Sequence, residues 1–187
     1  MNNGHRYYYV SQAISEKDCD YFVDQYKDVE FNQGTILKDE NNKNKDDSNH
    51  RNSKVHWITE PNNLVVRALW SYILELNKHF RLIINGYEAV QLTKYEKNCF
   101  YDWHRDSTQF PDESARKLSA VLQLSKPEDY KGGKLQLYNG INPLEELPIQ
   151  NQGSVIVFDS TEWHRATEVT EGVRYSLIMW ASGPKLV

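Results

Sequence analysis

Tyr101-Asp102-Trp103-His104-Arg105-Asp106-Ser107, in one-letter form YDWHRDS, contains a His-x-Asp tripeptide, and a further histidine follows in Phe158-Asp159-Ser160-Thr161-Glu162-Trp163-His164. Two imidazoles and one carboxylate suit a ferrous ion, because they can occupy one face of its coordination sphere and leave the opposite face open. Alone, the tripeptide carries little weight. With six histidines and 26 acidic residues in 187, roughly 0.8 such matches arise by chance.

The surrounding pattern supplies the context. Ala89 to Tyr95 alternates as a strand running toward the tripeptide, and Leu118 to Leu124 reads as another after it. Ser154 to Phe158 is a third, ending shortly before His164, and Arg174 to Trp180 is the last. Both ligand clusters therefore fall at strand ends, where a rigid sheet can fix side chains that must converge. Gly132-Gly133, Asn139-Gly140 and Gln152-Gly153 mark turns between short strands.

Upstream, a short strand is expected near Tyr7 to Val10, and Ser15 caps an amphipathic helix carrying Cys19, Tyr21, Phe22 and Tyr26. Residues 38 to 50, KDENNKNKDDSNH, form a polar, flexible loop. Arg51 to Ile58 alternates as one strand. Residues 61 to 80 place Leu64, Val65, Ala68, Leu69, Tyr72, Ile73, Leu76 and Phe80 on one helical face, with Pro61 as the start signal. The fold class is α+β, mainly β: a double-stranded β-helix, or jelly roll, supported by N-terminal helices.

Length bounds the chain to a single domain over residues 1 to 187. A net charge of -4 and a pI near 5.9 give no electrostatic footprint for nucleic acid or an anionic membrane. No apolar run reaches bilayer length and the N-terminus lacks a secretion-signal pattern, so a cytoplasmic protein is expected. Two cysteines, Cys19 and Cys99, are too few for a disulfide framework. The size is compatible with a monomer, although nothing in the sequence fixes the oligomeric state.

Iron held by His104, Asp106 and His164 would keep three positions free. A bidentate 2-oxo acid fills two and leaves one for dioxygen, but its far carboxylate needs a fixed cation. Arg174, ten residues beyond His164, offers a guanidinium fork matched to a carboxylate. Ser176 shares its face of the strand. Tyr95, nine residues before His104, offers a phenol to the same acid.

The order Tyr95, His104-x-Asp106, Gly132-Gly133-x-Leu135, His164, Arg174-x-Ser176 and Trp180 resembles the Fe(II)/2-oxoglutarate-dependent dioxygenases of the prolyl 4-hydroxylase type, including the PKHD-type hydroxylases. The resemblance spans roughly residues 51 to 182, with a catalytic core at about 87 to 182. It implies Fe(2+) on His104, Asp106 and His164, 2-oxoglutarate on Arg174 and Tyr95 with Ser176, dioxygen as oxidant and ascorbate as a reductant. It further implies decarboxylation of 2-oxoglutarate to succinate and CO2 with hydroxylation of an unactivated C–H bond. Related halogenases leave the carboxylate position empty, so Asp106 favours hydroxylation. Arg51-x-Ser53-x-Val55-x-Trp57 resembles the segment lining the substrate mouth, which with Trp180 would face a peptide, protein or small-molecule substrate.

Two other readings share these residues. A nucleic-acid dealkylase uses the same triad, but those enzymes carry a second arginine and an asparagine in the last strand, where this chain has Ser176 and Trp180. A non-catalytic jelly-roll binding module would keep the fold without needing every ligand.

Overall fold

The strands expected on either side of the tripeptide form, and they divide between two sheets. This computed structural model describes residues 6–37, 44–45, 47–60, 62–107, 114–138, 145–147 and 149–184. In chain order the first elements are β1 (Tyr7–Val10), α1 (Glu16–Tyr26), β2 (Asn32–Gln33), β3 (Ile36–Leu37), β4 (Asn44–Lys45), β5 (Arg51–Asn52), β6 (Lys54–Ile58) and α2 (Leu64–Phe80). Next come β7 (Gly86–Tyr87), β8 (Val90–Tyr95), β9 (Phe100–His104), β10 (Ser114–Gln123), β11 (Tyr130–Gly132) and β12 (Leu135–Leu137). The chain continues through β13 (Glu145–Glu146), β14 (Val155–Asp159), β15 (His164–Ala166), β16 (Val169–Gly172) and β17 (Arg174–Pro184).

Among the described residues the larger sheet has eight strands, in the order β1-β14-β10-β17-β8-β6-β2 with β7 beside β17. The smaller has five, in the order β13-β12-β15-β9-β5. Chain neighbours are repeatedly separated in space, as where β14 lies between β1 and β10, which is the connectivity of a jelly roll. Val121 of β10 and Ile156 and Phe158 of β14 pack with Leu135 and Leu137 of β12, joining the two sheets through a small apolar core.

The helices cover the other face of the larger sheet. Ser15 accepts the Asp18 N–H and starts α1, which buries Cys19 and Phe22. Asn63 accepts the N–H groups of Val65 and Val66 and starts α2, while Arg81 ends it in the left-handed conformation at φ 58°. Helical spacing brings Val65, Leu69, Ile73 and Leu76 onto one face, and these pack with Leu92, Leu122, Val157 and Met179 from the sheet. Each such side chain removed from water stabilises the fold by about 1.5–3 kcal/mol.

Several expectations change. Arg51 to Ile58 is two strands on two sheets: Arg51 and Asn52 pair with Tyr101 and Phe100, whereas Lys54 to Ile58 pair with β8. Buried Ser53 marks the crossing, so the alternation continues while the hydrogen-bond partners change. The second helix begins at Leu64, which is exposed, and Val66 takes a buried place instead. Its start is set by the Asn63 cap; Pro61 lies outside the described residues. Most of the 38 to 50 loop does too, but Asn44 and Lys45 pair with Leu37 and Ile36. The Asn139-Gly140 turn is also outside. Among the described residues no helix is long and apolar enough to cross a membrane.

Candidate active site

β9 and β15 run antiparallel with His104 opposite His164, and the two imidazole centroids are 4.1 Å apart. This pairing joins two identical tripeptides, Trp103-His104-Arg105 and Trp163-His164-Arg165. Reversal of direction sets each arginine beside the other strand's tryptophan. The Arg165 guanidinium stands 4.7 Å from the Trp103 ring centroid and Arg105 is 5.1 Å from Trp163. Cation–π contacts thus bracket the histidine pair on both sides.

Each histidine is oriented in the same way. Nδ1 of His104 donates to the carbonyl of Asp102 at 2.7 Å, and Nδ1 of His164 to that of Glu162 at 2.9 Å. A carbonyl can only accept, so each Nδ1 carries a proton, and each ring in its neutral form offers its Nε2 lone pair to a cation. Tyr101 stacks on His104 with ring centroids 3.5 Å apart and fixes the plane of the ring.

Asp106 closes the triad just beyond β9. Its Oδ1 is 3.7 Å from His104 Nε2 and its Oδ2 is 3.3 Å from His164 Nε2. One donor atom from each residue lies within 4.8 Å of the others, an arrangement that could hold a metal ion. The donor chemistry fits ferrous iron: two imidazole nitrogens, one carboxylate oxygen and a cavity on the open side. Ser119 Oγ donates to Asp106 Oδ2 at 2.7 Å, and Ser160 Oγ is 2.9 Å from Ser119 Oγ. Because the single Ser119 proton goes to the carboxylate, Ser160 donates to Ser119.

Electrostatics favour a cation here. Burial would raise the Asp106 carboxyl, but the adjacent His164 and His104 hold it well below the usual carboxylate range. Burial opposes charge on His164, yet Asp106 draws its pKa above the ordinary histidine value. His104 goes the other way, because burial and the neighbouring His164 both disfavour its protonation.

Arg174 begins β17 opposite Tyr95 of β8 and is only 2% exposed. Its Nε donates to Gln123 Oε1 at 3.0 Å, and its guanidinium carbon is 5.5 Å from the Tyr95 ring centroid. Gln123 is in turn held by its own donations to the Ser125 carbonyl and the Tyr130 hydroxyl. Among the described residues no carboxylate forms an ion pair with Arg174. A buried guanidinium without a counter-charge is costly, so this end of the cavity suits an anion. Gly133, at φ +59°, provides the room: a Cβ there would stand 3.0 Å from Arg174 Cδ and 2.8 Å from Val169 Cγ2.

All nine residues singled out in the sequence line one cavity of about 520 Å³, formed between the sheets. His104, Asp106 and His164 lie on one wall, and Arg174, Tyr95 and Ser176 are placed along β17 and β8. Arg51 is buried, donating to Ser53 Oγ, the Thr35 carbonyl and Gln91 Oε1 while lying 4.5 Å from the Tyr101 ring centroid. Trp57 is 44% exposed, with its ring centroid 6.1 Å from that of buried Trp180.

Other lining or supporting residues were not expected. Tyr101, its phenol pushed up to about 12 chiefly by burial, and Arg116, which grips Glu88 through two hydrogen bonds, both line the cavity. Ser119 and Gln123 support it from β10. Their sequence signal is polarity within Leu118-Ser119-Ala120-Val121-Leu122-Gln123-Leu124, an otherwise apolar strand whose polar members need buried partners.

Residues 90–182 match the family model described as the 2OG-Fe(II) oxygenase superfamily. A PKHD-type hydroxylase of Synechococcus sp. (strain CC9311) is 32% identical over 122 residues, covering 65% of this chain and 52% of the relative. The chain thus spans about half the length of the curated relatives it matches. Among solved structures, a Pseudomonas putida prolyl-4-hydroxylase superimposes with a TM-score of 0.73 at 19% identity, over 95% of this chain and 92% of that one. A Trichoplax adhaerens prolyl hydroxylase in complex with a hypoxia inducible factor peptide fragment gives 0.74 at 18% identity, over 96% and 84%. The solved structures share the jelly roll, and the family match spans the two histidines, Asp106 and Arg174: residues 90–182 belong to the 2OG-Fe(II) oxygenase superfamily.

Proposed function

We propose that the protein is an Fe(II)- and 2-oxoglutarate-dependent hydroxylase acting on a prolyl or other amino-acid residue of a peptide or protein. The observation that carries this reading is Arg174, a buried cation without a carboxylate partner among the described residues, lining the same cavity as the His104, Asp106 and His164 triad. A dicarboxylic 2-oxo acid would suit two such points: His104, Asp106 and His164 would hold the metal that it chelates, and Arg174 would receive its far carboxylate. Hydroxylation draws on the PKHD-type relatives, and the prolyl and peptide preference on the prolyl hydroxylase neighbours, one of which is in complex with a peptide fragment.

In this reading His104, Asp106 and His164 hold the iron. When bound, iron with 2-oxoglutarate and dioxygen supplies the oxidation of an unactivated C–H bond, with succinate and CO2 as coproducts. The chain contributes placement. Arg174, oriented by Gln123, receives the far carboxylate, and Ser176 and Tyr95 complete that end of the cavity. Ser119, backed by Ser160, fixes the Asp106 carboxylate, and the two backbone carbonyls keep the Nε2 lone pairs directed at the metal. Arg51, Trp57 and Trp180 form the part of the mouth that meets the substrate. A single domain, a cytoplasmic setting with reduced Cys19 and Cys99, and ascorbate as reductant accompany this proposal.

The experiment is an anaerobic titration of the Fe(II)-loaded protein with 2-oxoglutarate, followed by succinate measurement on admitting air with ascorbate. The visible charge-transfer band of a chelated 2-oxo acid and succinate formation are expected. A protein that binds no Fe(II) and forms no succinate would be a binding module instead.

A further inference from the structure

The charge on the cavity wall differs in sign from the charge of the chain. The sequence carries a net charge of -4, yet among the described residues Arg51, Arg105, Arg116 and Arg174 line the cavity against one carboxylate, that of Asp106. Glu88 neutralises Arg116 through a bidentate pair. Arg174 and Asp106 are committed to the cosubstrate and the metal in the reading above, on which this inference rests. A ferrous ion and a doubly charged 2-oxo acid cancel one another, so loading the site does not remove the imbalance.

Arg51 and Arg105 therefore remain. Arg51 is buried and donates only to neutral acceptors, namely Ser53, Gln91 and the Thr35 carbonyl. Arg105, between the two ligands of the tripeptide, is exposed at the cavity rim and its described contact is with the neutral face of Trp163. Neither forms an ion pair among the described residues. In a cleft with apolar walls such charges focus the field and attract an opposite charge.

We infer that the substrate carries a carboxylate close to the carbon that reacts, and that Arg105 at the rim, with buried Arg51 of the same cavity, selects for that charge. The carboxylate comes either from an acidic residue flanking the target in a peptide or from the substrate's own α-carboxylate. A nucleic acid fits less well, because its repeated phosphates would meet an acidic protein outside the cavity. Arg105 is then a specificity-determining residue, set in register with the metal ligands because it lies between them in the chain.

The test uses the Fe(II)- and 2-oxoglutarate-loaded protein without oxygen, reading the shift of the charge-transfer band as compounds are added. The probes are matched peptides of alanine and proline with Asp, Asn or Lys on both sides of the proline, together with free L-proline, L-prolinamide and oligothymidylate. Asp peptides are expected to bind about fivefold more tightly than Asn peptides at low salt, and Lys peptides more weakly than either, with the difference shrinking as salt is raised. If L-proline outbinds L-prolinamide while the three peptides do not differ, the α-carboxylate is the source. Arg105→Gln should abolish the preference and Arg105→Lys restore it, with the 2-oxoglutarate titration unchanged in both because Arg174 is intact.

Equal binding of charged and neutral probes, no binding in either carboxylate arm, or tighter binding of oligothymidylate overturns the inference while the band itself sustains the oxygenase reading. Absence of the band removes both.

Discussion

His104 and His164 stand opposite one another across β9 and β15, and each gives its Nδ1 proton to the carbonyl two residues before it. Both Nε2 atoms are thereby presented to Asp106 from positions far apart in the sequence. His104→Ala, Asp106→Ala or His164→Ala should each abolish tight Fe(II) binding, measurable by equilibrium titration with Fe(II) or Co(II), while the fold persists by circular dichroism.

Proton and metal compete for this triad. Asp106 stays ionised, whereas His164, raised above its ordinary value despite burial by the charge of Asp106, must lose its proton before Nε2 can bind a cation. Metal affinity should fall as pH drops through that raised value and level off above it, by about tenfold per unit in the falling region. Co(II) titrations at several pH values between about 6 and 8 check this; a flat profile would contradict it.

Arg174→Gln leaves the distal carboxylate of 2-oxoglutarate without its fork. Loss of one partner from a buried charged pair costs about 2–5 kcal/mol, so cosubstrate affinity should weaken at least thirtyfold by about the lower bound, with Fe(II) affinity preserved. Unchanged 2-oxoglutarate affinity would remove Arg174 from its assigned place.

Ser119→Ala takes away the hydrogen bond to Asp106 Oδ2 and leaves Ser160 without its acceptor. Iron affinity is expected to fall about tenfold, the lower end for residues that orient metal ligands. Ser160→Ala should have a smaller effect, since the direct bond to the carboxylate remains. Metal titration of both variants supplies the comparison.

Gly133→Ala brings a Cβ against Arg174 and Val169 at a left-handed backbone position. Destabilisation of at least about 1 kcal/mol is expected, together with weaker 2-oxoglutarate binding, read by thermal denaturation and cosubstrate titration. Leu69→Ala, remote from the cavity, should cost about 2–5 kcal/mol of stability without altering the metal titration of the folded protein.

Much of the architecture was legible in the linear pattern. Alternation through Val90–Tyr95, Leu118–Gln123 and Arg174–Trp180 identified central strands because buried and open faces of a sheet repeat every second residue. The crossing at Ser53 was not legible, since Arg51 and Val55 keep the same alternation on different sheets and only hydrogen-bond partners distinguish them.

The sequence by itself determined which donor atoms this protein has for a metal and a carboxylate: the His-x-Asp, the later histidine, and an arginine within an apolar strand. Only the tertiary structure decided that they share one cavity, that two Trp-His-Arg tripeptides bracket the histidines, and that Ser119 and Gln123 orient Asp106 and Arg174. The physical reason is that ligand identity is a property of single side chains, whereas convergence, burial and uncompensated charge arise from strand pairing between segments distant in the chain.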